Sequence, residues 1–183
     1  MPDHHDLNWL RSAARSGARL KYLHFWGHSE SRPGELGSAC LSQWYAAPFT
    51  ADGHRFPTTE HYMMFRKAEL FNDLETAERI LKAGRPAAVK ALGRTVRGFQ
   101  ESIWQQNRVA IVVDGNHAKF SQSELLRSFL LGTKQRVLVE ASPVDKIWGI
   151  GLTADDPRAE NPLEWRGLNL LGFALMDVRE RLK

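Results

Sequence analysis

One stretch of the chain places a carboxylate and an amine on the same face of a predicted helix. Within residues 57–67, Glu60, Met63, Met64 and Lys67 are spaced i, i+3, i+4 and i+7. Burial beside the methionines would raise the pKa of Glu60 or lower that of Lys67. Glu60 is therefore a candidate general acid or base, and Lys67 a candidate phosphate ligand or amine nucleophile. The alternative is that Glu60 only complements the positive end of the helix and that Lys67 is solvent-exposed.

A second group of residues lies in the segment 141–151. Asp145 stands three residues after a serine and two after a proline, a spacing that helix caps use, so this acid also has a structural explanation. Beside Trp148, Gly149 and Gly151 would let backbone amides approach a ligand closely while the indole stacks on a base or a ribose. No third glycine opens a helix after them, so the sequence excludes a Rossmann dinucleotide site.

The third group lies on and after a long predicted helix. Trp104 and Arg108 are spaced i, i+4, so the indole and the guanidinium can form a cation–π pair. That pair either faces the core or supplies base stacking and a phosphate clamp, and both interpretations stay open. Lys119 follows within Asp114–Phe120, and Trp44 is a further aromatic residue that fits either the core or a ligand site.

The sequence lacks the usual ligand sets of a catalytic metal. His54 and His61 are seven residues apart, and neither a His-Glu-x-x-His motif nor a cysteine cluster occurs. His4 and His5 lie in an N-terminal tail that we expect to be disordered. We predict no metal and no cofactor. A Gly-x-Ser-x-Gly motif is also absent, so serine hydrolase chemistry has no support.

Composition defines the class of protein in which these residues act. The 183 residues are 43% hydrophobic and 25% charged, which is typical of one globular domain with a single core. Cys40 is the only cysteine, which fits a reducing compartment, and neither an export signal nor an apolar run of roughly 20 residues is visible. These features predict a soluble, cytoplasmic protein without membrane contact. The net charge of +4 is compatible with a polyanionic partner.

The elements that must position these groups are predicted to be mostly helical. Strands are expected at Leu20–Trp26, Cys40–Tyr45, His54–Phe56 and Val137–Glu140, with a turn at Ala51-Asp52-Gly53 closing a hairpin. Helices are expected at residues 8–21, 59–71, 73–83, 86–95, 100–119, 121–131 and 170–182, with Thr58, Asn72 and Ser121 as N-caps. Residues 27–38 are expected to form a loop and residues 147–152 an extended segment.

Several separated motifs, taken in order, resemble those of one family. They are Leu41–Tyr45, Pro48-Phe49, Asp52-Gly53, Pro57–Met64, Lys67-Ala68, Gly115-Asn116, Lys119-Phe120, Leu138–Asp145, Trp148–Leu152, Asp156-Pro157, Asn161-Pro162, Trp165 and Gly167–Arg179. From about Tyr22 to the C-terminus the chain resembles the NADAR/YbiA-like family. The resemblance implies an α+β, predominantly helical fold, with a compact single YbiA-like domain at 22–183 that contains a few short strands. Residues 1–21 would form an N-terminal extension, predicted to be helical.

The resemblance also implies an activity, which is metal-independent hydrolysis of N-glycosidic bonds. Such proteins are associated with removing ADP-ribose from guanine bases and with cleaving phosphoribosylamino-pyrimidine intermediates of riboflavin synthesis. By motif, Glu60, Trp104 and Asp145 resemble reaction-centre positions, and Lys67 resembles a lysine that attacks the anomeric carbon as a Schiff-base nucleophile. The predicted catalytic residues are therefore Glu60, Lys67 and Asp145. The predicted substrate-binding residues are Trp44, Trp104, Arg108, Lys119, Trp148, Gly149 and Gly151.

The predicted partners are ADP-ribose or ribosyl-phosphate conjugates, with ADP-ribosylated DNA or RNA among them. Arg11, Arg15 and Arg19 would form a basic stripe along the first helix, which slightly favours a nucleic-acid-linked substrate over a free nucleotide. A solvated helix face explains the same stripe. A module that binds ADP-ribose or NAD-derived ligands without cleaving them also fits the motifs.

Overall fold

The computed structural model describes residues 5–30, 32 and 34–183. The α-helices in these ranges are α1 (Leu7–Arg15), α2 (Thr59–Leu70), α3 (Leu74–Lys82), α4 (Pro86–Gly93), α5 (Glu101–Ser121), α6 (Glu124–Gly132) and α7 (Leu170–Arg181). The strands are β1 (Tyr22–Phe25), β2 (Phe49–Ala51), β3 (His54–Phe56) and β4 (Val137–Glu140). The predicted α+β, predominantly helical fold is confirmed. No helix in the described ranges combines the length and the apolar character needed to cross a lipid bilayer.

A parallel pair of strands, β1 and β4, gives the molecule two distinct ends. Tyr22 lies opposite Val137, and Phe25 lies opposite Glu140. Parallel strands run in the same direction, so the carboxyl ends of β1 and β4 meet at one edge of the pair. Glu140, opposite Phe25, therefore stands at this edge, and both Glu140 and Trp26 line the cavity described below. Helix α7 packs against β4 and α5, and α2 packs against α3, α4 and α5.

The side chain of Asn169 forms hydrogen bonds with the backbone of β4 as a neighbouring strand would. Asn169 is fully buried and caps α7 in the left-handed conformation, with φ of 55°. Its Oδ1 accepts the amide of Glu140 at 3.0 Å, and its Nδ2 donates to the carbonyl of Leu138 at 2.9 Å. Because buried backbone groups need partners, these two bonds fix the end of the strand on which Glu140 stands.

Replacing Asn169 with alanine is expected to lower the free energy of unfolding by about 2–4 kcal/mol, measured by urea denaturation. Two buried backbone groups would lose their partners, and alanine disfavours the left-handed conformation. Asn107→Ala is the matched control, because Asn107 donates only to the carbonyl of Ile103 in its own helix. We expect this control to stay within about 1 kcal/mol of the wild type. Equal losses in the two variants would contradict a special role for Asn169.

The hairpin forms where the turn was predicted, but its first strand is not the predicted one. Asp52 and Gly53, with φ of 50° and 77°, join β2 to β3. The positive φ at both central positions is typical of a type I′ turn. The predicted strand Cys40–Tyr45 is wrong, since Ser38–Leu41 forms a 3₁₀ turn and β2 begins at Phe49. Consecutive burial of Cys40 and Leu41 suits a tight turn better than the alternation of a strand.

Other boundaries move by a few residues. The N-caps of α3 and α6 are Asp73 and Ser123, not the predicted Asn72 and Ser121. The side chain of each N-cap accepts a backbone amide from the first turn of its helix. The segment 147–152 is irregular instead of extended. His5, predicted to be disordered, bonds Asp177 at 2.7 Å through Nδ1, whereas His4 lies outside the described residues.

The predicted basic stripe does not form one helix face. Helix α1 ends at Arg15 with Ser16 as its C-cap, so Arg19 lies beyond the helix. Arg11 instead donates through Nε to the carbonyl of Pro162 at 3.2 Å. Only Arg11 and Arg15 therefore share α1.

Candidate active site

A cavity of about 560 Å³ opens at the carboxyl ends of β1 and β4, facing the first turns of α2 and the end of α4. Its volume lies in the range of small-molecule sites. The face of α2 predicted from the sequence lines this cavity, namely Glu60, Met63, Met64 and Lys67. Three carboxylates enter the cavity from different elements: Glu60 from α2, Glu140 from β4, and Asp145 from the loop after β4.

Glu60 is a buried acid in the first turn of α2. Thr58 caps the helix, because its side chain accepts the amide of His61. Only 4% of Glu60 is exposed, and burial raises the pKa of its carboxyl to about 7. Lys90 and the indole N–H of Trp44 act in the opposite direction, and the charge of Asp145 adds to the increase. Glu60 can therefore both hold and release a proton near neutral pH.

Glu140 is the last residue of β4 and was missed by the sequence analysis. Its Oε2 is buried and has no hydrogen-bond partner among the described residues. Burial raises the pKa of Glu140 to about 8, with further contributions from the charges of Asp145 and Glu60 and an opposing one from Lys90. A buried carboxyl oxygen without a partner favours the protonated form, and a pKa of about 8 leaves Glu140 mostly protonated at neutral pH.

Asp145 has the structural role that its spacing predicted and also contributes charge. Its amide donates to Ser142 Oγ at 3.2 Å, as in a cap. Its Oδ1 accepts the amides of Ile147 and Trp148, both at 2.8 Å. Asp145 thus holds Trp148 in place and raises the pKa of the two glutamates beside it.

The amine of Lys67 lies in an aromatic corner of the cavity. Nζ donates to the carbonyl of Gly93 at 2.7 Å and lies 4.2 Å from the centre of the Phe99 ring and 5.5 Å from that of Trp104. Burial lowers the pKa of Lys67, and the charge of Glu101 opposes this effect. A lower pKa increases the fraction of neutral amine, which is the nucleophilic form.

Trp44, Trp148 and Lys90 form a further part of the cavity wall. Trp44 and Trp148 both line the cavity, as predicted for substrate-binding residues. Lys90, from α4, places Nζ 5.8 Å from the centre of the Trp44 ring. His28 packs against the same indole with ring centres 5.6 Å apart. The wall therefore offers aromatic faces for a base or ribose and a cation for phosphate.

A comparison with known protein families matches residues 24–183 to the NADAR domain. The chain belongs to the NADAR domain family. This match includes the three carboxylates, Lys67 and the cavity residues Trp44 and Trp148.

Individual relatives match most of this NADAR protein, although the share of the relative that is covered varies. An N-glycosidase of Acanthamoeba polyphaga mimivirus is 41% identical over 165 residues, covering 87% of this chain and 95% of the relative. The riboflavin biosynthesis protein VVA0006 of Vibrio vulnificus is 32% identical over 143 residues, covering 78% of this chain and 35% of the relative. The NMR structure of Escherichia coli YbiA superposes with a TM-score of 0.68 at 28% identity, covering 88% of this chain and 84% of that one.

Some predicted site residues lie outside the cavity lining of this NADAR domain. Lys119 is 1% exposed and donates through Nζ to the carbonyls of Cys40 at 2.6 Å and Ser42 at 3.1 Å. Burial lowers its pKa to about 7. It thereby holds the 3₁₀ turn that precedes Trp44. Arg108 is buried in α5, where its Nε has no hydrogen-bond partner among the described residues.

Trp104 and the two glycines also stand behind the lining. Trp104 contacts Lys67 from behind, and the predicted Trp104–Arg108 pair is absent from the cation–π contacts of the described residues. A Cβ at Gly149 would lie 2.7 Å from the carbonyl oxygen of Glu140, so this glycine allows close backbone packing. Gly151, with φ of 69°, donates its amide to the carbonyl of Asp145 at 3.1 Å. The two glycines shape the loop that carries Asp145 and Trp148.

The sequence offered a weak signal for the missed residue. Glu140 ends an apolar strand, Val137–Val139, and the carboxyl edge of parallel strands is a frequent place for ligand-binding side chains. Lys90 lies on the exposed side of a short helix, and no motif or spacing in the sequence indicated that it belongs to the site. No group of three or more His, Cys, Asp or Glu side chains in the described part of the chain is arranged to hold a metal ion.

Proposed function

We propose that this NADAR protein hydrolyses the N-glycosidic bond between ADP-ribose and a guanine base, in a nucleotide or in nucleic acid. The observation that carries the proposal is the meeting of Glu60, Glu140 and Asp145 in one cavity beside two indole faces and Lys67. The relatives that are named N-glycosidases support hydrolysis of an N-glycosyl bond as the reaction of this enzyme.

The leaving base needs a proton, and Glu140 is suited to supply it. Its pKa of about 8 keeps the carboxyl protonated at neutral pH. As the bond from the anomeric carbon to the base nitrogen breaks, the electron pair goes to the nitrogen and the proton of Glu140 follows it. Asp145, whose Oδ1 accepts the amides of Ile147 and Trp148, would place its carboxylate against the positive charge that develops on the sugar.

Lys67 supplies the nucleophile in this proposal. Its neutral amine leaves the carbonyl of Gly93 and forms a bond to the anomeric carbon as the bond to the base breaks. Glu60 accepts the proton that the amine releases, which its pKa of about 7 permits. Water then attacks the same carbon and gives a proton to Glu140, while Glu60 returns its proton to Nζ as the bond from carbon to Nζ breaks. Free ADP-ribose is released, and the amine and both carboxyl groups regain their starting protonation. Trp44 and Trp148 would hold the base and the ribose by stacking.

A second substrate is favoured by one comparison. The Vibrio vulnificus relative is named a riboflavin biosynthesis protein, which points to phosphoribosylamino-pyrimidine intermediates. These compounds carry the same type of bond, a ribosyl carbon joined to nitrogen, so the same carboxylates and lysine would act on them.

The deciding experiment presents both substrates to the purified protein. One reaction contains an oligonucleotide with ADP-ribosylated guanine, the other contains the phosphoribosylamino-pyrimidine intermediates, and products are identified by mass spectrometry. Release of free ADP-ribose supports the proposal. Cleavage of the pyrimidine intermediates alone would assign the second function. Binding without any cleavage would contradict both and leave a binding module.

A further inference from the structure

A second cavity, of about 1090 Å³, lies at the opposite end of β1 and β4. It opens where the two strands begin, beside Lys21 and Arg136, whereas the active-site cavity opens where they end. Four residues of strand separate the two, which is roughly 13 Å at about 3.3 Å per residue. Part of the wall comes from residues 5–21, which precede the matched NADAR domain. We call this space the basic cavity.

Five cations line the basic cavity without an acidic partner. They are Arg19, Lys21, Lys134, Arg136 and Arg179. Within the described ranges, none of the five forms an ion pair with a carboxylate. The acid in the same lining, Glu180, is bound to Lys183, with Nζ 2.6 Å from Oε2. The lining therefore carries a net positive potential that attracts anions.

Arg179 shows that this charge is built into the fold. Only 2% of the residue is exposed. Nη1 donates to Thr133 Oγ1 at 2.8 Å and to the carbonyl of Arg136 at 2.9 Å, whereas Nε is buried without a partner among the described residues. Burial lowers the pKa of Arg179; the charge of Glu180 opposes this effect and the charge of Arg136 adds to it, and no carboxylate among the described residues forms an ion pair with the guanidinium. An anion in the cavity would compensate this charge.

We propose that the basic cavity binds the phosphate groups of a nucleotide or of a nucleic-acid strand. Arginine and lysine together suit phosphate, since guanidinium groups bind its oxygens in pairs and ammonium groups add point charge. Trp9 stands on the wall beside these cations, with its ring packed edge-on against His5 at 5.0 Å. Its indole provides a face for a base attached to the phosphate. This second site does not depend on the reaction proposed for the first cavity.

The test measures binding without turnover. The probes are a fluorescent single-stranded DNA oligonucleotide that carries no ADP-ribose, followed by anisotropy, and inorganic pyrophosphate, followed by calorimetry. The variant is Arg19→Gln with Lys134→Gln, two exposed cations of the basic cavity. The matched control is Arg55→Gln with Lys82→Gln, which removes the same two charges from exposed positions elsewhere. Trp44→Ala separately reports binding in the active-site cavity.

We expect the basic-cavity variant to bind at least about tenfold more weakly, and the control to bind nearly as the wild type does. For the oligonucleotide, the slope of log affinity against log salt should also fall by roughly one to two. Equal loss of both probes identifies the phosphate group itself as the ligand, and loss of the oligonucleotide alone identifies a nucleic-acid strand. Equal affinities of the variant and the control, or a loss confined to Trp44→Ala, would overturn the proposal.

Discussion

Replacing Glu60 with glutamine is expected to reduce turnover by roughly 10²- to 10⁴-fold while the protein stays folded. Glutamine has nearly the same volume as glutamate, so the packing of this 4% exposed side chain is preserved. The amide cannot accept the proton that the amine of Lys67 releases as it bonds the anomeric carbon. Burying the charged form of Glu60 costs free energy, which is why its pKa is raised to about 7. Glutamine carries no charge and avoids this cost, so the free energy of unfolding at neutral pH should not fall.

Single-turnover kinetics on the substrate identified by mass spectrometry would measure this loss. Glu69→Gln is the matched control, because Glu69 lies on the same helix but pairs with Arg66 at the surface, with Oε2 3.1 Å from Nε. We expect the control to keep wild-type turnover. Thermal unfolding of both variants would show whether the fold is intact. Undiminished turnover in folded Glu60→Gln would remove Glu60 from the mechanism.

The face shared by Glu60, Met63, Met64 and Lys67 could be predicted because helix geometry is local. A spacing of i, i+3, i+4 and i+7 fixes one side of a helix whatever the rest of the chain does. Which way Lys67 points was not predictable in the same way. Its amine bonds the carbonyl of Gly93 and approaches Phe99, and both partners come from segments more than twenty residues along the chain.

Glu140 was missed because its environment depends on long-range pairing. The sequence predicted the strand Val137–Glu140 with the bounds that are observed, but not its parallel pairing with β1. Without that pairing, nothing places Glu140 beside Glu60 and Asp145, which lie on other elements. A glutamate after three apolar residues otherwise resembles an ordinary strand end exposed to solvent.

Glu140 is a site residue that was not predicted, whereas Lys119 was predicted to bind substrate but does not line the cavity. The residues next to Lys119 in the sequence do not indicate which groups its amine contacts. Lys119 lies in one of the candidate motifs and was therefore predicted to bind substrate. In the structure its amine donates hydrogen bonds to the carbonyls of Cys40 and Ser42, as the amides of a neighbouring strand would do. The same contact accounts for the failed strand prediction, because it satisfies backbone acceptors that a neighbouring strand would otherwise have to meet.

Replacing Glu140 with glutamine is expected to lower kcat/KM by roughly 10²- to 10⁴-fold and to change the pH profile. In the wild type the acid must be protonated, so kcat/KM should fall as the pH rises through about 8. Glutamine cannot donate a catalytic proton, so the variant should keep only the residual rate and lose that alkaline limb. The measurement is kcat/KM across pH 5–10, with Glu124→Gln, an exposed carboxylate with a side chain 79% accessible, as the control.

Stability against pH separates this loss of chemistry from a loss of structure. The pKa of Glu140 is raised from an ordinary value of 4.5 to about 8, so in this interval the folded state binds a proton that the unfolded state has released. The free energy of unfolding of the wild type should therefore fall as the pH rises from about 4.5 to 8. Glu140→Gln removes this contribution and should flatten the decline, leaving the part due to Glu60. A variant that loses activity but keeps the full decline would show that Glu140 does not hold the buried proton.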